Sequence, residues 1–215
     1  MIHVLLVDDH ELVRSGIARI LGDTPDIQVI GEAATGEEAL ELAARMEPDV
    51  VLMDVNMPGI GGLEATHKIL RQHPKAKVIV VTVHAEEPFP TRLIEAGAAG
   101  YLTKSCGVGE IVKAIRKVAE GGRYIGSDIA QQMALSQLPG GEASPFDQLS
   151  QREMQVMLMV TQGQPVQAIA DKLFISPKTV STYRHRLFEK LGVRNDVELT
   201  HLAIRHGLIE GAGKS

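Results

Sequence analysis

Val50-Val51-Leu52-Met53-Asp54 reads as a strand buried on both faces that ends abruptly in an acid. The four residues before Asp54 are apolar without alternation, the pattern of a parallel-sheet strand covered by helices on both sides. Toward the N-terminus, Val4-Leu5-Leu6-Val7 repeats that pattern and ends in Asp8-Asp9; toward the C-terminus, Val78-Ile79-Val80-Val81 ends at Thr82. Ile27-Gln28-Val29-Ile30 and Ala99-Gly100-Tyr101-Leu102 complete five predicted strands, the last running on to Lys104. Between them, segments near 11–21, 36–46, 62–72, 87–97 and 107–120 have helical spacing, with Gly22, Gly97 and Gly121 as stops. The alternation over residues 1–121 predicts a five-stranded, parallel, doubly wound α/β domain with right-handed crossovers.

Open parallel sheets place their ligand sites at the carboxyl ends of the strands. Asp8, Asp9, Asp54, Thr82, Tyr101 and Lys104 are the polar and aromatic residues that this topology brings there. Three carboxylates at one sheet end repel one another and resist ionising together unless a cation neutralises them. Hard oxygen donors suit Mg²⁺, which keeps several waters and takes a phosphate oxygen readily. Lys104 supplies a compact positive charge for an anion beside that metal, and the Thr82 hydroxyl a hydrogen-bond donor. A metal, an anion-binding lysine and a carboxylate nucleophile are the parts needed to move a phosphoryl group onto aspartate. His10, His67, His73 and His84 lie near the strand ends without ligand spacing to one another and read as surface histidines.

The rest of the chain has a different texture. A short helix is predicted from about Ser127 to Leu135, followed by the turn-rich run from Gln137 to Pro145, so residues 122–146 read as a linker containing a short helix. From residue 147 to 211 the pattern is helical throughout, with segments at 150–162, 166–173, 177–191 and 196–207. Ser176 is placed to cap a helix whose first residue, Pro177, lacks an N–H that would need a partner. In that helix Val180, Leu187 and Leu191 share one face and point to the core, while Lys178, Ser181, Thr182, His185 and Glu189 share the opposite one. The net charge of −5 falls entirely in residues 1–125, and the remainder is neutral. Within residues 177–194, however, Lys178, Arg184, Arg186, Lys190 and Arg194 oppose only Glu189, a local basic footprint suited to phosphates.

Composition excludes several classes of function. Hydrophobic residues make up 44 % of the chain, aromatics 3 % and Trp is absent, which favours aliphatic cores over a large aromatic ligand pocket. No apolar run reaches the ~18 residues needed to span a bilayer, and Met1-Ile2-His3-Val4 lacks the features of a signal peptide, so a cytoplasmic protein without membrane partners is expected. The single cysteine, Cys106, reads as an inert thiol.

Asp8-Asp9, Asp54-Val55-Asn56-Met57-Pro58-Gly59, Thr82 and Tyr101-Leu102-Thr103-Lys104 together resemble the receiver domain of response regulators, a flavodoxin- and CheY-like fold. That resemblance implies Asp54 as phosphoacceptor, Asp9 as a direct Mg²⁺ ligand, Asp8 as a second acidic member and the Asn56 carbonyl as a further ligand. It also implies Thr82 and Tyr101 as a switch pair and Lys104 as the phosphate contact. Leu149-Ser150-Gln151-Arg152-Glu153, Ile169-Ala170 and Ser176-Pro177-Lys178-Thr179-Val180-Ser181-Thr182-Tyr183 resemble the LuxR-type helix-turn-helix. The DNA-contacting set read from this stretch is Lys178, Thr179, Ser181, Thr182, Arg184, His185, Arg186 and Lys190. Joined to a receiver, this is the arrangement of NarL/FixJ regulators. Pro88-Phe89-Pro90-Thr91-Arg92-Leu93 and the stretch from Glu198 to Gly207 are more similar still to the GacA/UvrY/SirA subgroup, from which the chain departs at Ser181 and His185. The subgroup implies a GacS/BarA-type sensor histidine kinase, double-stranded promoter DNA bound by a homodimer, and activation of small regulatory RNA genes.

Two other readings use some of the same features. A Mg²⁺-dependent phosphohydrolase also forms an aspartyl phosphate, but enzymes of the haloacid-dehalogenase type carry a second acid where this chain has Asn56. A ligand-sensing LuxR-type regulator needs a sizeable apolar cavity, for which uninterrupted strands and four Phe give little material.

Overall fold

A computed structural model describes residues 1–55, 57, 59–82, 89–136, 144–206 and 208–209. The chain forms two compact units, Met1–Leu138 and Pro139–Ser215. No helix among the described residues is long and apolar enough to cross a membrane.

The first unit alternates strands and helices: β1 (Ile2–Val7), α1 (Glu11–Gly22), β2 (Ile27–Ala33), α2 (Gly36–Met46), β3 (Val50–Met53), α3 (Gly61–Gln72), β4 (Lys77–Thr82), α4 (Phe89–Glu95), β5 (Gly100–Thr103) and α5 (Val108–Ala119). A further short strand, β6 (Tyr124–Ile125), completes the sheet, whose order is β2-β1-β3-β4-β5-β6, all parallel. The order reverses between β1 and β3, and the crevice that opens there lies beside the ends of both strands. Register aligns those ends: Val7 pairs with Met53, Met53 with Val80, and Thr82 with Thr103. Val4, Leu5, Val50, Val51, Ile79 and Val80 are fully buried, as uninterrupted apolar strands require when helices cover both faces.

The sixth strand lies beyond the five expected. Tyr124 N–H donates to Ala99 O and Gly126 N–H to Tyr101 O, so the segment after α5 zips onto the β5 edge. Two residues carry no periodicity, which is why pattern alone passes over this strand. The next helix, α6 (Ser127–Ser136), packs on α4 and β5 and falls within the first unit. The short helix read as part of a linker therefore rides on the α/β sheet. Helix α4 (Phe89–Glu95) ends two residues before the 97 expected from spacing, while residues 87 and 88 of the expected span lie outside the described residues.

The second unit opens with a 3₁₀ turn at Pro145–Gln148, followed by α7 (Gln151–Thr161), α8 (Val166–Leu173), α9 (Pro177–Leu191) and α10 (Asp196–Arg205). Its helix ends are specified locally. Ser150 and Glu153 form a reciprocal capping box on α7, Ser176 accepts from Thr179 N–H with Pro177 at the first position of α9, and Asn195 accepts from Glu198 N–H on α10. Gly192, at φ +65°, stops α9 in the left-handed region. Phe146, Met154, Met157, Ile169, Val180, Leu187, Leu199 and Ala203 form the core. Phe146 also meets His206 edge-on, with ring centroids 5.6 Å apart.

Candidate functional site

The predicted acidic cluster assembles at the β1/β3 switch point. Asp54 N–H donates to Val7 O at 2.8 Å and Asp8 N–H to Ala33 O at 3.1 Å, so both acids are fixed by backbone as the strands end. Asp8 is 5 % and Asp54 2 % exposed, while the Asp9 side chain retains 30 % exposure. Lys104 arrives from the end of β5, its own N–H donating to Thr82 O at 2.7 Å. Its ammonium bridges the two buried acids, donating to Asp8 Oδ2 at 2.6 Å and Asp54 Oδ2 at 2.8 Å. Burial works against the Lys104 ammonium, but its hydrogen bonds to Asp54 and Asp8 outweigh that effect and hold its pKa above the ordinary lysine value.

One ammonium does not balance three carboxylates. Asp8, Asp9, His10 and Asp54 each offer a ligand atom, all within 4.8 Å of one another, and the oxygen-rich set fits a hard divalent cation. The fourth member is new. His10 reads from sequence as a surface histidine, and its side chain is indeed 65 % exposed, yet Nδ1 lies 2.8 Å from Asp9 Oδ1 and 3.2 Å from Asp8 Oδ1. Arg14 is also missing from the sequence-derived set: its Nη1 donates to Asp8 O at 2.6 Å. The available signal was its place one turn into the helix that follows Asp8-Asp9. Asn56 lies outside the described residues.

Thr82 and Tyr101 are both fully buried, on the neighbouring strands β4 and β5. The site wall leaves no latitude at Gly62, where an added Cβ would stand 1.8 Å from Asp54 O. Cys106 packs partly buried against the same core; burial first and the Glu110 charge second push its thiol pKa up to about 11, which keeps it protonated at neutral pH.

In the second unit, α9 presents the stripe expected of it. Lys178, Ser181, Thr182, His185 and Arg186 are exposed, opposite buried Val180 and Leu187. Ser181 Oγ donates to Pro177 O at 3.1 Å and Thr182 Oγ1 to Lys178 O at 2.9 Å. Thr179 is half-buried in the helix cap, its N–H donating to Ser176 Oγ at 3.1 Å.

Two of the eight residues expected to contact DNA also pair with groups inside the module. Arg184 forks onto Asp196, with Nη2 2.6 Å from Oδ2 and Nε 3.2 Å from Oδ1. Lys190 donates to Glu153 Oε2 at 2.7 Å and Gln148 O at 3.1 Å, while Gln148 Nε2 donates to Lys190 O at 2.6 Å. Burial alone would raise the Glu153 pKa, but hydrogen bonds from Lys190 and Ser150 hold it below the ordinary value. A count of basic residues could not distinguish these two cations from the rest; the Ser150-Gln151-Arg152-Glu153 capping signature was the visible hint for Glu153.

Comparison with known proteins bears on both halves. Residues 4–116 match the family "Response regulator receiver domain", and residues 147–203 match "Bacterial regulatory proteins, luxR family". The chain is 59 % identical over 213 residues to response regulator GacA of Pseudomonas aeruginosa, covering 99 % of this chain and 100 % of that protein. It is 60 % identical over 209 residues to response regulator UvrY of Escherichia coli K12, covering 97 % and 96 %. Among solved structures it resembles RcsB from Salmonella enterica serovar Typhimurium, bound to promoter rprA with the phosphomimetic BeF₃⁻, at a TM-score of 0.73 and 25 % identity over 94 % of this chain and 98 % of that one.

Proposed function

Because the chain belongs to the response regulators, with a receiver domain followed by a LuxR-type DNA-binding domain, we propose that Asp54 takes a phosphoryl group from the phosphohistidine of a GacS/BarA-type sensor kinase and that α9 then reads promoter DNA. The observation that carries the first half is the Lys104 ammonium shared between Asp8 and Asp54 at the strand ends. An Asp54 carboxylate oxygen forms a bond to phosphorus, the P–N bond to the kinase imidazole breaks, and its electron pair returns to the ring nitrogen. Asp8, Asp9, Asp54 and the Asn56 carbonyl would hold Mg²⁺, which would supply charge neutralisation for the phosphoryl oxygens. Lys104 exchanges its carboxylate partners for a phosphoryl oxygen, and the Thr82 hydroxyl donates to another.

Signal transmission follows the strand order. Tyr101 is buried on β5 next to the Thr82 strand, and its carbonyl accepts the Gly126 N–H, so a shift of β5 is felt directly by β6 and α6. Such a rearrangement redistributes existing conformations rather than creating one, with phosphate favouring the DNA-binding member. On DNA we place Lys178, Thr179, Ser181, Thr182, His185 and Arg186 at the interface, in a symmetric dimer on a pseudo-palindromic site upstream of small regulatory RNA genes. In this reading the chain works as a regulator and not as an enzyme, so it cleaves no phosphomonoester in multiple turnovers.

Selection of duplexes from a random pool, with and without acetyl phosphate and Mg²⁺, tests the whole reading. A pseudo-palindromic site enriched by phosphorylated wild-type protein and not by Asp54→Asn is the expected result. Equal enrichment by both proteins overturns it.

A further inference from the structure

Arg184 stands in the most basic stretch of the chain, yet its guanidinium is turned away from the role that position suggests. Both carboxylate oxygens of Asp196 accept from it, and its central carbon lies 5.7 Å from the ring centroid of Phe188, one turn further along α9. A two-pronged Arg–carboxylate pair stacked on an aromatic face is directional in a way that a single lysine contact is not. The Arg184 side chain is 28 % exposed, whereas Lys178 and Arg186 are exposed residues.

The packing around the pair gives it a purpose. Helix α9 is held by α7 and α8, while α10 packs chiefly on α7 and touches α9 little. Only Gly192, Val193, Arg194 and Asn195 join α9 to α10, and Gly192 turns the chain through the left-handed region. Asp196 is the first residue of α10, where its negative charge is favoured by the helix dipole, and its carbonyl accepts from Thr200 Oγ1 at 2.7 Å. The carboxylate is therefore anchored to α10 and the guanidinium to α9.

We infer that Arg184 is a positioning residue that sets the recognition helix against α10 through Asp196, and that it is not a DNA-phosphate contact. The inference rests on α9 being the DNA-reading helix. It makes Asp196, which touches no DNA in this arrangement, a determinant of sequence-specific binding. It also gives the Asp196 carboxylate a role beside a surface that must attract a polyanion.

The experiment uses full-length, phosphorylated Arg184→Met, Arg184→Lys and Asp196→Asn proteins, with circular dichroism to establish folding. Binding is measured on the duplex selected by wild-type protein and on a scrambled duplex, across a range of salt concentrations. Arg184→Met and Asp196→Asn are each expected to weaken binding to the selected duplex by about 2- to 5-fold while leaving the salt slope unchanged. The loss on the scrambled duplex should be smaller, and Arg184→Lys, which keeps the charge but not the fork, should behave like Arg184→Met. The charge-swapped pair Arg184→Asp with Asp196→Arg should recover part of the loss, which a residue needed only for its charge on DNA would not. A salt slope reduced by about 1 in Arg184→Met, or unchanged or tighter binding by Asp196→Asn, overturns the inference. Lys178→Ala is the control for the underlying reading: if it too leaves the salt slope unchanged, α9 is not the DNA-reading helix and the inference falls with it.

Discussion

The ammonium of Lys104 stands 2.8 Å from Oδ2 of Asp54, its partner 50 residues earlier in the chain. Lys104 thus serves as internal counterion to a carboxylate that is 2 % exposed. Replacing it with methionine leaves Asp8 and Asp54 buried together with like charge, a loss on the order of 2 kcal/mol at neutral pH. The deficit should shrink on adding Mg²⁺, which would neutralise the paired acids in place of the ammonium. Thermal melts of Lys104→Met against wild type at neutral pH, with and without Mg²⁺, measure the effect. A deficit independent of the metal would mean that packing, not charge, is what Lys104 supplies. Intact mass after acetyl phosphate should show an adduct on wild type, less on Lys104→Met and none on Asp54→Asn.

Gly62 limits what the loop after Asp54 tolerates. A Cβ there would lie 1.8 Å from Asp54 O and 2.8 Å from Val55 Cα, both backbone atoms, so relief requires the loop itself to move. Gly62→Ala is expected to destabilise the first unit by about 2 kcal/mol or more and to abolish the phosphate adduct. Gly16→Ala, in α1 with nothing within 4 Å of its added Cβ, should instead raise stability by up to about 1 kcal/mol through helix propensity. Chemical denaturation of both variants checks the contrast, which fails if the two substitutions have the same sign.

Much of this was legible in the sequence because the relevant forces are local or periodic. Uninterrupted apolar runs ending in Asp8, Asp54 and Thr82 announced parallel strands and where their polar ends converge, and Ser176-Pro177 announced the start of α9. Features set by side-chain length and tertiary partner were not legible. Arg184 and Arg186 are the same residue type two positions apart, yet Asp196 pairs with the first while the second stays exposed. The two-residue β6 has no pattern to detect and exists because the β5 edge offers the carbonyls of Ala99 and Tyr101. His10 joins the acidic cluster through the backbone turn after β1, which composition does not encode.

Glu153 and Lys190 make the second unit sensitive to acid. Glu153 is 3 % exposed, caps α7 and holds Lys190 at 2.7 Å, and its pKa is lowered from 4.5 in the folded chain. A carboxylate whose pKa is lower folded than unfolded binds fewer protons when folded, so its contribution is complete above about pH 4.5 and is lost as pH falls through the folded value. Glu153→Gln should flatten that part of the pH–stability curve, and Lys190→Met should lower stability at neutral pH. Thermal melts of the full chain between pH 3 and 7, monitored by helical circular dichroism, provide the measurement. A Glu153→Gln curve parallel to wild type would remove this carboxylate from the explanation.

The exposed stripe of α9 divides into residues that carry charge and residues that carry a directional hydrogen bond. Lys178 and Arg186 are long and cationic, so replacing either should weaken specific and non-specific duplexes alike and reduce the salt slope by roughly 1 for each phosphate no longer neutralised. Ser181 and Thr182 already donate their hydroxyl protons to Pro177 O and Lys178 O. What they turn outward is therefore acceptor character, and in the major groove acceptors match the amino groups of cytosine N4 and adenine N6. Ser181→Ala and Thr182→Ala should leave the salt slope intact and cost about 1 to 3 kcal/mol on the selected duplex, with little change on a scrambled one. The sharper consequence is in the bases: duplexes reselected by Ser181→Ala should lose a preference for C or A at one position in each half-site. Loss of a preference for G instead would show that the hydroxyls release the helix carbonyls and donate to DNA.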